Sequence, residues 1–185
     1  MENYFSKNFP SVRLGAILSL LTILFGFGVG VAFGLYEDDM KKNLKDKALM
    51  TVEADKSKPL EKQIYKGDMA KVDKISNKSF KYLIRAHLHS SGLGAIAMSL
   101  IILLSFMTGV PSVVRWIVSF MLGLGSLMYS MAWMYAGLKA PLLGSTGAAK
   151  QSLYFMAGPS IVMCVVGVFA VLVLVVYQAY IKKES

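Results

Sequence analysis

Charged and uncharged positions are sharply segregated along this chain. No Lys, Arg, Asp or Glu interrupts the 23 residues between Arg13 and Glu37, the 29 between Arg85 and Arg115, the 23 between Arg115 and Lys139, or the 31 between Lys150 and Lys182. A helix crosses the hydrocarbon core of a bilayer with about 20 apolar residues. Each run therefore predicts one membrane span, at about 12–36, 80–107, 112–138 and 151–180. One polar segment of any size remains, 37–79. In it Met40, Leu44 and Ala48 recur at i, i+4 and i+8, the spacing of a short amphipathic helix. Ser57-Lys58-Pro59 breaks that pattern, a second short helix is expected from Pro59 to Tyr65, and Gly67-Asp68 forms a turn before a third stretch at Met69–Ile75. The expected fold class is all-α: an integral membrane four-helix bundle forming a single membrane domain, with a small helical extracytoplasmic cap between spans 1 and 2. Pro10-Ser11 suits the start of the first helix, and Gly158-Pro159 a kink in the outer third of the last.

Composition removes whole classes of function. Of 185 residues 55% are hydrophobic and 17% charged, with mean hydropathy +0.54. That excludes a soluble enzyme, a disordered chain and a nucleic-acid-binding domain. The net charge of +9 is not a nucleic-acid signal, because 13 of the 20 Lys and Arg lie in 37–85 beside nine of the 11 acids. Mixed charge of that kind is a solvated surface. The remaining cations report orientation. Lys7, Arg13, Arg115, Lys182 and Lys183 lie at one set of span ends, and Lys139 and Lys150 at the other. With 37–79 treated as a long loop, this balance places both termini in the cytoplasm. The single cysteine, Cys164, falls within span 4 and allows no intrachain disulfide. Span 1 is too long for a signal peptide and is read as a retained helix.

Gly26, Gly30 and Gly34 put small residues on one face of span 1, where another helix backbone can approach closely. Packing within the bundle outweighs a homodimer there. The richest stretch for chemistry is Tyr82-Leu-Ile-Arg85-Ala-His87-Leu-His89-Ser-Ser-Gly-Leu-Gly94, at the outer mouth of span 2. It holds both histidines of the chain, and ionisable groups at the edge of a membrane helix mark functional positions. Arg85 and His89 share a face. His87 lies about 200° from His89, so an intact helix cannot offer both to one ion. Ser91, Gly94, Ala95 and Met98 follow His87 as a stripe of small residues that a flat ring could lie against.

That arrangement suits haem b, with His87 or His89 as axial ligand, and Arg85, Lys139 and Lys150 beside the propionates. The second axial ligand would be a methionine, a lysine, the other histidine after unwinding or a histidine of a second copy. Met98 ends the stripe, spans 3 and 4 offer Met128, Met131, Met134 and Met156, and Met128, Met131 and Met134 recur at i, i+3, i+6. Copper is the alternative metal, because two histidines and 12 methionines supply soft ligands. The loop between spans 3 and 4 has Gly144, Gly147, Lys150 and Ser152, but lacks the spacing and the strand of a phosphate loop. Its Lys139, Lys150, Ser145 and Thr146 could meet an anionic head group, a propionate or a quinone carbonyl. No credible Ser-His-Asp set exists, and no carboxylate lies within the predicted spans, which argues against a proton-coupled pump.

Arg85-Ala-His87-Leu-His89 followed by Ser-Ser-Gly-Leu-Gly resembles, over about ten residues, the outer end of haem-ligating helices in haem–copper oxidase and nitric oxide reductase core subunits. The resemblance implies a ligand role for His87 or His89 and no binuclear centre. The whole chain resembles small four-span bacterial inner-membrane proteins. Two functions are therefore expected: a haem b-binding subunit for electron transfer or quinone interaction, with its site at the outer ends of spans 2–4, or a non-catalytic structural or assembly subunit of a membrane complex. Expected partners are the lipid bilayer, other membrane subunits or further copies of the chain, and a quinone.

Overall fold

A computed structural model describes residues 4–181, which contain helices and turns and no strand. The elements are α1 (Tyr4–Asp55), a 3-10 turn (Leu60–Lys62), α2 (Met69–Phe106), α3 (Ser112–Leu143), α4 (Thr146–Gln151), α5 (Tyr154–Val176) and a terminal π turn (Tyr177–Ile181). Four helices, α1, α2, α3 and the one through α5, are long and apolar enough to cross a membrane. Lys182 and Lys183, counted above for orientation, lie outside the described residues. Pro10 sits inside α1 rather than at its start.

The segment between the first two spans is helical and packs against the ends of α3 and α4. α1 has 52 residues, roughly 78 Å of helix, against about 30 Å of hydrocarbon. No Gly or Pro lies between Gly34 and Pro59, and beyond a kink at the end of the apolar run a second helical stretch follows to Asp55. Its one non-helical residue is Tyr36, at φ −135° and ψ 26°, where the apolar run ends. α2 likewise starts with Asp68, whose side chain accepts from the Lys71 N–H, and runs unbroken into the membrane. Of the short helix expected at 59–65, one 3-10 turn forms. The result is a helical stalk in which α1 and α2 extend past the bilayer as an antiparallel pair.

The stalk has its own small core of Ala48, Tyr65, Val72, Ile75, Ala140 and Ala149. Lys66 (φ 52°) and Gly67 (φ 74°) turn the chain so that Tyr65 points inward. Its hydroxyl donates to the Pro141 carbonyl at 2.5 Å, and burial pushes its pKa up to about 12. Asp55 holds the same loop, accepting from Lys58 Nζ at 2.5 Å and from the Ile64 N–H at 3.0 Å. Gly144 closes α3 in the left-handed conformation (φ 54°), which a residue without Cβ adopts at no steric cost.

Inside the membrane α1, α2 and α3 pack on one another, and α5 packs chiefly on α3. Small residues set these distances. Gly15 lies directly on Ser119, and Gly123 on the Gly15 carbonyl, so a Cβ at either would collide with backbone. At the end away from the stalk, Val12, Ala16, Ile101, Leu104, Val118 and Leu122 form a larger core. The α2–α3 turn there is clamped by side chains. Asn8 Nδ2 donates to the Ser105 carbonyl at 2.9 Å, and buried Arg115 donates through Nη2 to the Met107 carbonyl at 2.6 Å. Gln178 donates to the Thr108 carbonyl.

Candidate functional site

The two histidines meet different neighbours. His87 sits between α2 and α1, where its Nδ1–H donates to the Gly26 carbonyl at 2.8 Å and its ring meets Phe33 edge-on at 5.9 Å between centroids. Glycine makes room for it: a Cβ on Gly30 would lie 2.7 Å from His87 Cε1. Gly26 in turn lies against Ser90 and Ser91. The glycine face of α1 is therefore the seat of His87 within one chain. Gly34 takes no part, since nothing lies within 4 Å of the position a Cβ would occupy.

This packing fills the groove that a porphyrin would need. Part of the stripe below His87 is covered by α1: Ser91 lies on Gly26, and Gly94 on Ile23 and Thr22, whereas Ala95 is exposed. Met98 packs in the core at the far end of the bundle. Met134, the last of the methionine triplet, packs with Leu44, Phe80 and Leu83. Neither histidine lines any of the five clefts characterised between helices, of about 200 to 380 Å³. Among the described residues no group of three or more His, Cys, Asp or Glu could hold a metal ion. On the α1 side, the Gly26 carbonyl and Gly30 occupy the space that a porphyrin would need against His87.

His89 belongs to a second constellation, at the stalk end of α2, α3 and α4. Its ring stacks on Trp133 at 5.9 Å and meets Tyr129 at 5.1 Å. Arg85, one turn earlier on the same face, lays its guanidinium over Trp133 at 5.0 Å and over Tyr82 at 5.5 Å. Lys150 of α4 approaches the other partner, with Nζ 5.9 Å from the Tyr82 ring. Tyr82 and Trp133 meet edge-on at 5.1 Å. Three of the residues singled out from sequence, Arg85, His89 and Lys150, are thus brought together around aromatic rings. Lys139 is exposed nearby on α3 and joins no contact of this cluster, and Met131 is half-buried outside it.

The cluster opens on a cleft of about 200 Å³ between α3 and α5, lined by Tyr129, Ala132, Trp133, Ala136, Lys150, Leu153, Tyr154, Ala157 and Ile161. Three alanines and three aromatic rings make up most of its lining, and Lys150 is its one charged residue. Trp133 belongs to both cluster and cleft, and its Nε1–H is buried without a hydrogen-bond partner. A buried donor of this kind leaves an uncompensated desolvation cost of about 1–3 kcal/mol. Arg85 and Lys150 pair with no carboxylate among the described residues. Two unneutralised cations, an unused N–H and an apolar slot leading into the bilayer form a surface complementary to an amphiphile. Tyr82, Tyr129, Trp133 and Tyr154 were not singled out from sequence as site residues. The spacing Tyr82, Arg85, His89 (i, i+3, i+7) and Tyr129, Trp133 (i, i+4) carried the signal.

No protein-family model, no curated protein and no solved structure matches the chain.

Proposed function

We propose that this protein is a membrane-embedded, non-catalytic binding subunit that holds an amphiphile with an anionic head at the stalk end of the α3–α5 cleft. The observation that carries the reading is the buried, unpartnered Trp133 Nε1–H beside Lys150 in an otherwise apolar slot. The head group would sit between Lys150 and Arg85, an ester or ring carbonyl would accept from Trp133, and the tail would follow Ala157 and Ile161 toward the bilayer centre. A quinone would use the same slot and the same N–H, and would leave both cations unneutralised. The structural or assembly role expected from sequence is compatible with this reading, because a bound lipid can seal a joint between subunits.

Orientation follows from the stalk. Cations in loops shorter than about 60 residues, and within about 15–20 residues of a span, bias it toward the cytoplasm. Because 37–55 and 69–85 belong to the same long helices as the apolar runs, Lys41, Lys42, Lys45, Lys47, Lys71, Lys74, Lys78, Lys81 and Arg85 join Lys139 and Lys150 in that count. They outnumber Lys7, Arg13, Arg115, Lys182 and Lys183 at the other end. The proposed orientation therefore has the stalk in the cytoplasm and the termini outside, the reverse of the balance struck when 37–79 was treated as a loop.

The test uses the two tryptophans. Trp116→Phe leaves Trp133 as the sole tryptophan in the full chain, selectively excited at the red edge of the absorption band. Titration with phosphatidylglycerol should shift and brighten its emission, phosphatidylcholine should do so several-fold less well, and Lys150→Glu should remove the preference. Equal responses to both lipids, unaltered by Lys150→Glu, would sink the reading. A response to a short-chain quinone alone would reassign the slot to quinone.

A further inference from the structure

On the other side of the bundle, two further clefts share a wall. One, of about 270 Å³, runs between α1 and α3 and is lined by Phe25, Gly28, Val29, Ala32, Met40, Leu83, Met134 and Leu138. The other, of about 330 Å³, is lined by Met40, Asn43, Leu44, Lys47, Leu83 and Leu138. Met40, Leu83 and Leu138 border both, so the two are contiguous. Together they follow α1 from Phe25 to Lys47, roughly 33 Å of helix. The lower part lies within the apolar run of span 1. The upper part passes Glu37-Asp38-Asp39, where that run has ended, and continues beside the stalk.

An apolar groove in the bilayer is filled by lipid without comment. One that continues above the hydrocarbon, past half-buried Met40 and Leu138 to Asn43 and Lys47, exposes apolar surface to water unless a chain from the bilayer follows it. The residue types change in the order an amphiphile requires: only apolar side chains below Met40, then an amide and an ammonium at the top. Gly28 keeps the lower wall open, with nothing within 4 Å of the position a Cβ would occupy. Lys47 makes no ion pair among the described residues. Asp39 and Asp46 lie on the adjoining face of α1, which leaves Lys47 as the cation facing the groove.

We propose that this groove is a binding track for one phospholipid, whose acyl chain lies along Val29, Ala32 and Met134 and whose phosphate is raised out of the head-group plane onto Lys47. The protein would then hold a lipid partly withdrawn from the bilayer, at a place separate from the α3–α5 cleft. The proposal does not depend on that cleft being occupied.

The experiment reconstitutes the full chain in vesicles of phosphatidylglycerol and phosphatidylcholine doped with a phospholipid carrying a diazirine in its acyl chain. After photolysis, labelled peptides are mapped. Labelling at Met40 and Leu138 should exceed that at Phe169 and Val173, which face lipid on α5, by at least fivefold. Gly28→Trp, which fills the open wall, should bring Met40 labelling down to the α5 level and leave labelling at Ala157 unchanged. Gly28→Ala should behave as wild type and controls for folding. Lys47→Glu should cut Met40 labelling several-fold. Labelling at Met40 no greater than at Phe169, or unaffected by Gly28→Trp in a chain that still folds, would overturn the track. Labelling retained in Lys47→Glu would overturn the placement of the phosphate.

Discussion

α3 and α5 lie side by side across the same bilayer and obey opposite rules. α3 is the least apolar of the four spans and the most covered by protein, with 44% of its most apolar stretch buried; α5 is the most apolar and the least covered, at 17%. α1 and α2 fall between them in the same inverse order. In water the correlation would run the other way. In lipid, hydrocarbon already solvates leucine and valine, so association rests on close packing and on polar groups that meet only protein. α3 accordingly buries Ser119, Gly123, Ser126 and Ser130, whereas α5 buries little beyond Ser160, Gly167 and Val171. The candidate site lies where the two rules meet. Trp133 lines the cleft between α3 and α5 while its face is covered by Arg85 and His89.

The sharpest way to break this comparison is one bulky substitution made on each helix. Gly123→Leu would drive a side chain into the Gly15 backbone, and we expect α1 to lose its seat and the folded species to disappear from gel filtration in mild detergent. Gly158→Leu on α5, where the nearest neighbour is the Tyr154 ring at an ordinary 3.6 Å, should be recovered folded. Equal yields from the two would mean that α3 is not the central helix.

The stalk supplies the next effect. Tyr65→Ala removes the largest fully buried side chain and should cost about 3–5 kcal/mol, read as proteolytic opening of 56–68 with the spans intact. Tyr65→Phe, which leaves the Pro141 carbonyl without its donor, should cost about 1 kcal/mol. The pH dependence has a definite sign. Burial favours the neutral phenol, so the stabilisation is complete below the ordinary tyrosine value of about 10 and is lost as pH rises from there through about 12. Tyr65→Phe should be insensitive across that window. If wild type and Tyr65→Phe open together on alkaline titration, another group is responsible.

The spans were legible because bilayer thickness imposes a length that few other structures share. The stalk was not, since Met40, Leu44 and Ala48 read equally well as a detached amphipathic helix and as a continuation of span 1. Only the absence of a breaker between Gly34 and Pro59 distinguishes them. The site was half legible. Arg85, His89 and Lys150 stand out as ionisable groups at span ends, but which rings they meet depends on how α2, α3 and α4 are rotated, and that is a property of packing. Arg115 was read only as a cation between spans 2 and 3 that reports orientation; its burial and its hold on the α2–α3 turn carry no local sequence signal. His87 and the glycine face were noted as separate features. Their union could not be read off, because no local pattern states which faces of two helices meet.

That union gives the finest test. Gly30→Ala places a methyl 2.7 Å from His87 Cε1 and should destabilise by about 1–3 kcal/mol, although alanine is otherwise the better helix former. His87→Ala alone should cost about 1 kcal/mol for the lost bond to the Gly26 carbonyl. If the ring and the missing Cβ occupy one space, the double variant should be more stable than the sum of the singles by about 0.5–3 kcal/mol. Gly34→Ala, in open space, should show no coupling to His87→Ala and should stabilise by about 0.5–1 kcal/mol through helix propensity. Additivity at Gly30 would mean that His87 faces elsewhere, and the groove that this packing fills would be open again to a planar ligand.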